Sequence, residues 1–289
     1  MFKKSKITAI LSCLVILMVA AMATSCGNAS TATLSIQSTA PVSAPAGSLI
    51  PARISSRNAA ATAPSISVID IAGKPAGVIS LTKAYLAIKE IEIEVVGEES
   101  EECEYNGTHM VDLLNNTVTP ELPVITLPDG EYDEIEMDID IITALDLDSN
   151  GNTIIAADHV MFGKSLYLEG SYTVTGGTAV PFKMAFETEE EVILKDNNST
   201  KTFALAGHSD LIVAFRMDNW FNFSNKETNG YNVDFSALTD FDLNNDADPA
   251  VLAIKKDIMD IIQENIEDSA DFGEDSDDDG ELGEEEDDD

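Results

Sequence analysis

Alternating apolar and acidic residues dominate the middle of the chain. In the segment 86–96, isoleucine and valine occupy every second position after Lys89, and glutamate fills the positions between them. The segment 134–141 repeats this pattern with Ile and Met against Glu and Asp. A period of two turns one set of side chains to a core and the other to solvent. Each segment is therefore predicted to be a β-strand with one wet, acidic face.

Several further runs have the length and composition of strands. They lie at 65–71, 166–174, 182–187, 192–194, 202–205 and 211–215, and turn-forming residues separate them at 128–130, 149–151, 175–177 and 196–198. Short strands joined by regular turns are typical of antiparallel sandwiches and barrels. The expected fold is mainly β: an antiparallel β-sandwich over residues 64–226.

The C-terminal part has a helical pattern followed by an acidic run. Asp248-Pro249 is a typical helix start, with an N-cap followed by proline, and isoleucines at 254, 258, 261, 262 and 266 recur at helical spacing. An amphipathic helix is expected over 249–268, within an extension that covers 227–268. The tail 269–289 is so rich in Asp and Glu that we expect it to be disordered.

The N-terminus resembles a bacterial export signal. Three lysines precede an apolar run over 7–23, and small residues then lead to Cys26. This order favours a signal peptide over 1–25 with fatty acyl chains attached to Cys26. The competing interpretation is a transmembrane helix, but about 17 apolar residues are at the lower limit for spanning a bilayer. Residues 26–63 contain Ser, Thr, Ala and Pro but no acid, and they are expected to form a flexible tether.

Charge narrows the range of partners. The chain carries 53 acidic and 16 basic residues, a net charge of −37 that becomes −40 if the three lysines of the signal are removed. Nucleic acid is excluded as a partner, because binding it requires neutralising phosphates with Lys and Arg. A basic protein surface or a divalent metal ion remains a suitable partner. Apart from Cys13 and Cys26, only Cys103 is present, so a mature chain has no pair for a disulfide.

Two segments have the oxygen spacing of calcium loops. In the tail, Asp275, Asp277, Asp279, Glu281 and Glu286 match EF-hand ligand positions around Gly280. A shorter match has Asp146, Asp148 and Asn150 before Gly151, where a plain hairpin turn is the alternative. Calcium is therefore the candidate cofactor.

The chain contains none of the short motifs for nucleophilic, nucleotide-dependent or zinc chemistry. Its three histidines are scattered, and a solvated sheet face explains the acidic strand positions better than a pair of catalytic carboxylates does. Carbohydrate binding or processing is the alternative function, and it requires aromatic residues gathered in one groove. The candidates for such a groove are Tyr167, Tyr172, Trp220, Phe221 and Tyr231.

Two stretches resemble the DUF4382 family of bacterial lipoproteins. The first is 81–93 (LTKAYLAIKEIEI), and the second joins 111–114 (VDLL) to 127–135 (LPDGEYDEI), so that the resemblance covers about 81–141. It implies a lipid-anchored, prealbumin-like sandwich and brings no catalytic residues. We therefore expect a non-enzymatic, exported cell-envelope protein that binds a partner. By resemblance to known lipoprotein sorting signals, Gly27 after the cysteine favours the outer membrane where two membranes are present.

Overall fold

The computed structural model describes residues 29–39, 64–95, 102–128, 130–148, 150–187, 190–195, 203–205, 208–224, 226 and 248–274. Within these ranges the chain forms thirteen strands and one helix. The strands are β1 (Ala29–Thr39), β2 (Ser65–Ile69), β3 (Pro75–Val95), β4 (Glu102–Asp112), β5 (Thr117–Thr119), β6 (Ile125–Pro128), β7 (Gly130–Ile139), β8 (Leu166–Val174), β9 (Ala179–Phe186), β10 (Glu190–Lys195), β11 (Phe203–Leu205), β12 (His208–Arg216) and β13 (Ala270–Glu274), and the helix is α1 (Pro249–Ser269).

The strands form two sheets that share one hydrophobic core. The smaller sheet has the order β13-β12-β1-β6, and all of its pairs are antiparallel except β1 with β12. The larger sheet has the order β10-β7-β3-β4-β5, with β2 and β8 also pairing with β3, β11 with β7, and β9 with β8. Core residues come from both sheets and from α1. The prediction of a mainly β, antiparallel sandwich with a C-terminal helix is confirmed.

The long strand β3 organises the larger sheet. Its first half pairs with β2 and β8, and its second half pairs with β4 and β7. Close approach to β8 depends on Gly170, because a Cβ atom there would lie 2.0 Å from the carbonyl oxygen of Ser80. The sequence predicted only the second half of β3.

Helix α1 begins as predicted. The side chain of Asp248 accepts a hydrogen bond from the amide of Ala250 at 2.9 Å, and Pro249 occupies the first turn. Ile258, Ile262 and Ile266 are buried in the shared core. The predicted apolar face is therefore confirmed.

The tether prediction was wrong for residues 29–39, which form β1 between β12 and β6. Ala32, Leu34 and Ile36 are buried on one face of this strand. Small residues form a stable strand here because neighbours on both sides supply the hydrogen bonds and most of the apolar area. Residues 40–63 lie outside the described part of the chain.

The tail prediction was wrong for residues 270–274, which form β13 on the edge of the smaller sheet. Phe272 packs against the core, and the guanidinium of Arg216 contacts the carboxylate of Asp271 at 2.8 Å. An apolar side chain and an ion pair thus hold an otherwise acidic segment in place. Residues 275–289 lie outside the described ranges.

Candidate functional site

Six acidic side chains stand opposite one another on two central strands of the larger sheet. The antiparallel register of β3 with β7 pairs Glu90 with Asp138, Glu92 with Glu136, and Glu94 with Glu134. We call these six residues the carboxylate ladder. The alternate positions on both strands, such as Ile91 and Met137, are buried in the core. The acids therefore share the face of the sheet that turns away from the core.

The ladder is less exposed than a typical charged surface. Five of its side chains are half-buried, and Glu134 is only 7% exposed. Directly opposed side chains on neighbouring strands have Cβ atoms about 4.5–5.5 Å apart, and like charges at that distance are destabilising. The ladder therefore places three successive pairs of like charge directly opposite one another.

The backbone register extends this acidic region to the strands on either side. On β4, Glu104 is opposite Glu92 and Glu102 is opposite Glu94. On β10, Glu191 is opposite Asp138, whereas the positions opposite Glu136 and Glu134 are apolar and basic, respectively (Ile193 and Lys195). Four adjacent strands thus contribute acidic positions to one region of the sheet. Such a concentration of charge attracts cations over a distance of about one Debye length, roughly 8 Å at physiological ionic strength.

The geometry favours broad attraction of cations over a preformed metal centre. Among the residues that the structure describes, no three His, Cys, Asp or Glu side chains converge on a point that could hold a metal ion. The sequence had indicated the alternating acids on each strand, but only the register reveals that β3 and β7 are neighbours. The candidate functional site is therefore a face rather than a pocket.

Lys89 sits where the register of β3 shifts, between Ile88 and Glu90, with respect to both β4 and β7. Such a bulge changes the direction in which a side chain points. The Lys89 ammonium contacts Asp140 Oδ2 at 2.6 Å and Asp146 Oδ1 at 3.7 Å. This cluster attaches the segment after β7 to the sheet.

Both carboxylate oxygens of Asp146, one of the predicted calcium ligands, accept hydrogen bonds from the protein itself. Its Oδ1 accepts a hydrogen bond from Thr108 Oγ1 at 2.8 Å, and its Oδ2 accepts from the amide and hydroxyl of Thr143 at 2.5 and 2.8 Å. Burial alone would raise the pKa of Asp146, but these hydrogen bonds and the charge of Lys89 outweigh it, so the pKa is lowered. Burial likewise opposes the charge of Lys89, yet its two aspartate partners raise its pKa overall.

Asp148 and Asn150 belong to a tight turn. Asp148 Oδ1 accepts hydrogen bonds from the amides of Asn150 at 2.9 Å and Asn152 at 2.8 Å, and Gly151 has a φ of 79°. The hydrogen bonds from Asn152 and Asn150 lower the pKa of Asp148. The structure thus gives Asp146 and Asp148 separate protein donors and does not direct them to a common point. This geometry is that of the hairpin-turn alternative.

The other predicted calcium ligands, Asp275, Asp277, Asp279, Glu281 and Glu286, lie outside the described residues. Cys26 and the predicted signal 1–25 also lie outside them. No helix in the described ranges combines the length and apolar character needed to cross a membrane.

His109 is a buried titratable group on strand β4 of the larger sheet. Its Nδ1 lies 2.8 Å from the carbonyl oxygen of Pro120, and the ring is 5% exposed. Burial lowers the pKa of His109, and the contact with Pro120 offsets this only in part. The side chain is therefore suited to holding a loop in place rather than to exchanging protons with solvent.

The aromatic residues proposed for a carbohydrate groove are core residues. Tyr172, Trp220 and Phe221 are fully buried, and Tyr167 is nearly so. Tyr231 lies outside the described residues. The four that are described present no exposed platform on which a sugar ring could stack.

A small apolar crevice lies between α1 and the larger sheet. Leu86, Ile139, Leu166, Phe186 and Ile266 line most of it, and its volume is about 20 Å³. That is room for about one water molecule. The crevice is a packing defect rather than a ligand site.

Comparisons with known proteins bring no further assignment. No protein-family model, no curated protein and no solved structure matches this chain. The resemblance to the DUF4382 lipoproteins therefore stays a prediction that rests on the residues of 81–141.

Proposed function

We propose that this chain is an exported cell-envelope protein, anchored by fatty acyl chains on Cys26, that binds a cationic partner without catalysing a reaction. The observation that carries the binding part is the carboxylate ladder, in which three acid pairs stand opposite one another on β3 and β7. The anchoring part rests on the order of charged, apolar and small residues before Cys26.

The ladder supports binding of a cation because its six carboxylates are opposed in like-charged pairs on one face of the sheet. Like-charged pairs directly opposite one another weaken a sheet by up to about 1 kcal/mol each. A cationic surface placed over the ladder offsets part of this repulsion, because its positive charges attract the carboxylates. The partner that fits is a protein surface rich in Lys and Arg, with divalent cations as competitors for the same charge.

The anchor is tested with two cysteine variants. Cys26→Ser should leave the protein unprocessed and without lipid, and Cys103→Ser should leave processing unchanged. Intact-mass analysis of membrane-extracted protein distinguishes the two outcomes. Native material that retains residues 1–25 and carries no acyl chains would overturn the anchoring proposal.

Cation binding is tested with two triple variants that change the net charge equally. One neutralises ladder residues through Glu92→Gln, Glu136→Gln and Asp138→Asn. The other neutralises exposed carboxylates elsewhere through Glu121→Gln, Asp158→Asn and Asp260→Asn. With contributions of about 0.2–1 kcal/mol per exposed contact, the ladder triple should weaken binding of an oligolysine peptide by about tenfold relative to the control triple.

The acidic tail also attracts such a peptide, so the position of binding needs a direct readout. Carbodiimide coupling joins peptide lysines to the carboxylates that they touch, and mass mapping then locates the linkages. Linkages within 90–94 and 134–138 support the ladder. Linkages confined to 275–289, with equal affinity in both triple variants, would contradict it.

Calcium is tested separately on the full mature chain. A ligand that binds only the folded state raises its stability, so millimolar calcium should increase the melting temperature. Asp275→Asn combined with Asp277→Asn should remove that increase if the tail loop is the site. An unchanged melting temperature in the unaltered protein would remove calcium from the proposal.

A further inference from the structure

We infer that one end of the sandwich, the end where β1 begins, is held directly against the lipid bilayer. This inference rests on the proposed lipidation of Cys26. It differs from the expectation of a long tether, which would have let the domain stand well away from the membrane surface.

The distance follows from chain geometry. Only residues 27 and 28 separate Cys26 from the first residue of β1, Ala29. Consecutive residues span at most about 3.6 Å each, so the two Cα atoms are no more than about 11 Å apart in any conformation. A flexible tether of residues 26–63 would instead have had a root-mean-square length of roughly 35 Å.

The register identifies which other residues lie at this end. Ala29 is opposite Pro128 at the end of β6, and Thr31 is opposite His208 at the start of β12. Leu205, at the end of β11, is opposite Gly130 at the start of β7. We call the end formed by these residues the anchored end. Two of the connections between the sheets, from β6 to β7 and from β11 to β12, join strand ends that lie there.

The strand β7 leads away from the anchored end. It runs from Gly130 to Ile139, a span of roughly 30 Å at about 3.3 Å per residue. The segment that follows it is attached to the sheet through Asp146 and exposes Leu145, whose surface is 89% accessible. This segment therefore faces away from the bilayer.

The C-terminal strand points toward the anchored end. β13 is antiparallel to β12, with Ala270 opposite Phe215 and Glu274 opposite Leu211. The strand β13 therefore ends on the side of His208. In the ladder, the pair Glu94 and Glu134 is the closest to the same end, because Val95 is opposite Tyr132 near the start of β7. The ladder then runs away from this end, since its last pair, Glu90 and Asp138, lies roughly 26 Å along β7 from Gly130 at about 3.3 Å per residue.

The negative charge of the protein means that the anchored end needs the acyl chains to stay at the bilayer. The net charge of −40 expected for the mature chain, with Glu94 and Glu134 toward the anchored end, repels anionic lipid headgroups, so the protein without its acyl chains should not bind anionic vesicles. Proximity to the bilayer comes from the covalent anchor alone. The anchored end therefore contacts the bilayer because the acyl chains hold it there, and not because its own residues bind lipid.

The test measures the depth of two labels on the lipid-modified protein reconstituted into phosphatidylcholine vesicles. In a Cys103→Ser background, Thr126→Cys places a fluorophore near the anchored end, and Leu145→Cys places one at the far end; both positions are exposed. A nitroxide attached to the lipid headgroup quenches only at short range. The label at position 126 should be quenched severalfold more strongly than the label at position 145.

A spacer variant serves as the matched control. Twenty Gly and Ser residues inserted between Asn28 and Ala29 add a root-mean-square reach of roughly 25 Å. The insertion should abolish the difference between the two labels while the protein still floats with the vesicles. If the label at position 126 is quenched more strongly and the spacer does not reduce that quenching, the result contradicts the inference.

The result separates this inference from the proposal on which it rests. Equal quenching of the two labels on protein that floats with vesicles overturns the orientation and leaves the lipid anchor intact. Protein that carries no acyl mass and does not float overturns the anchor itself.

Discussion

The indole nitrogen of Trp220 donates a hydrogen bond to the hydroxyl of Ser269 over 3.0 Å, which joins the turn after β12 to the last residue of α1. Asn265, one turn earlier on the helix, donates from its side-chain amide to the carbonyl oxygens of Trp220 at 3.1 Å and Asn222 at 2.9 Å. Trp220, Asn265 and Ser269 are all buried. The helix is therefore fixed to the sandwich by directed polar contacts as well as by its isoleucines.

Replacing Asn265 by alanine should destabilise the protein by roughly 1–3 kcal/mol, because two buried carbonyl groups lose their donor. Urea unfolding of the two proteins measures this difference. Lys256→Ala, at an exposed position of the same helix, should change the free energy of unfolding by no more than about 0.5 kcal/mol. Equal effects of the two substitutions would mean that the helix is not docked through Asn265.

Ile36→Ala should cost about 2–5 kcal/mol, because it removes a core side chain of β1 that is only 2% exposed. Thr33→Ala changes a half-buried position on the other face of the same strand and should cost far less. Urea unfolding again provides the measurement. If both variants match the original stability, residues 29–39 behave as a tether after all.

Asp146 should give the protein an acid-sensitive contribution to stability. Its pKa is lower in the folded state than in the unfolded state, so the contribution is fully present above about pH 3.8 and is lost as the pH falls through the lowered folded value. Asp146→Asn should therefore be less stable than the original protein at neutral pH, and the gap should narrow on acidification. Asp158→Asn, at an exposed position, provides the comparison. A gap that stays constant down to the acid transition would contradict the assignment.

His109 should produce a second, milder pH dependence. Burial lowers its pKa in the folded state, so between about pH 6.5 and that lowered value the unfolded chain binds a proton that the folded chain does not. The free energy of unfolding should thus decrease as the pH falls below about 6.5. His109→Gln should flatten this slope when unfolding is followed from about pH 7.5 to about pH 5. If the free energy of unfolding of the variant depends on pH with the same slope, titratable groups other than His109 cause the effect.

The carboxylate ladder should be a source of strain that salt relieves. Glu92→Gln removes one partner of the pair with Glu136 and should stabilise the protein by a few tenths of a kcal/mol, up to about 1 kcal/mol. Added salt screens the same repulsion, so it should raise the melting temperature of the original protein more than that of the variant. Glu121→Gln, which is exposed and outside the ladder, should show neither effect.

The parts of the fold that could be predicted are the strands and the helix whose own residues show the pattern of that element. Alternation from Ile91 to Val95 and from Ile135 to Ile139 reports which face is buried, since a strand with one wet face has a period of two. The Asp248-Pro249 start of α1 is equally local. These features need no knowledge of neighbouring strands.

The parts that could not be predicted depend on neighbours. The strand β1 alternates Ala32, Leu34 and Ile36 with Ser and Thr, but so little apolar area is informative only once β12 and β6 are known to flank it. Because residues 26–63 are rich in Ser, Thr, Ala and Pro, the composition predicts a tether even though the strand alternation is present in part of that segment. Strand β13 was missed for the same reason, because Phe272 stands among acids.

The candidate site was partly visible. The acidic rows on β3 and β7 were evident, but nothing local indicates that Glu92 stands opposite Glu136, since register depends on the whole sheet. Lys89 interrupts the alternation of apolar and acidic residues, but the sequence alone does not indicate that the strand has a bulge there. For Asp146, spacing alone favoured calcium, and the donors that occupy it, Thr108 and Thr143, could be found only in three dimensions.

The pairing of β1 with β12 also determines when the smaller sheet can form. Ser35 donates to the carbonyl oxygen of Leu211, a residue 176 positions away in the sequence, and the smaller sheet cannot assemble before both segments are present. Contacts between such distant segments form slowly. In a chain threaded across a membrane from its N-terminus, β1 would therefore cross well before its partner β12, and the smaller sheet would form only after residue 216 had crossed.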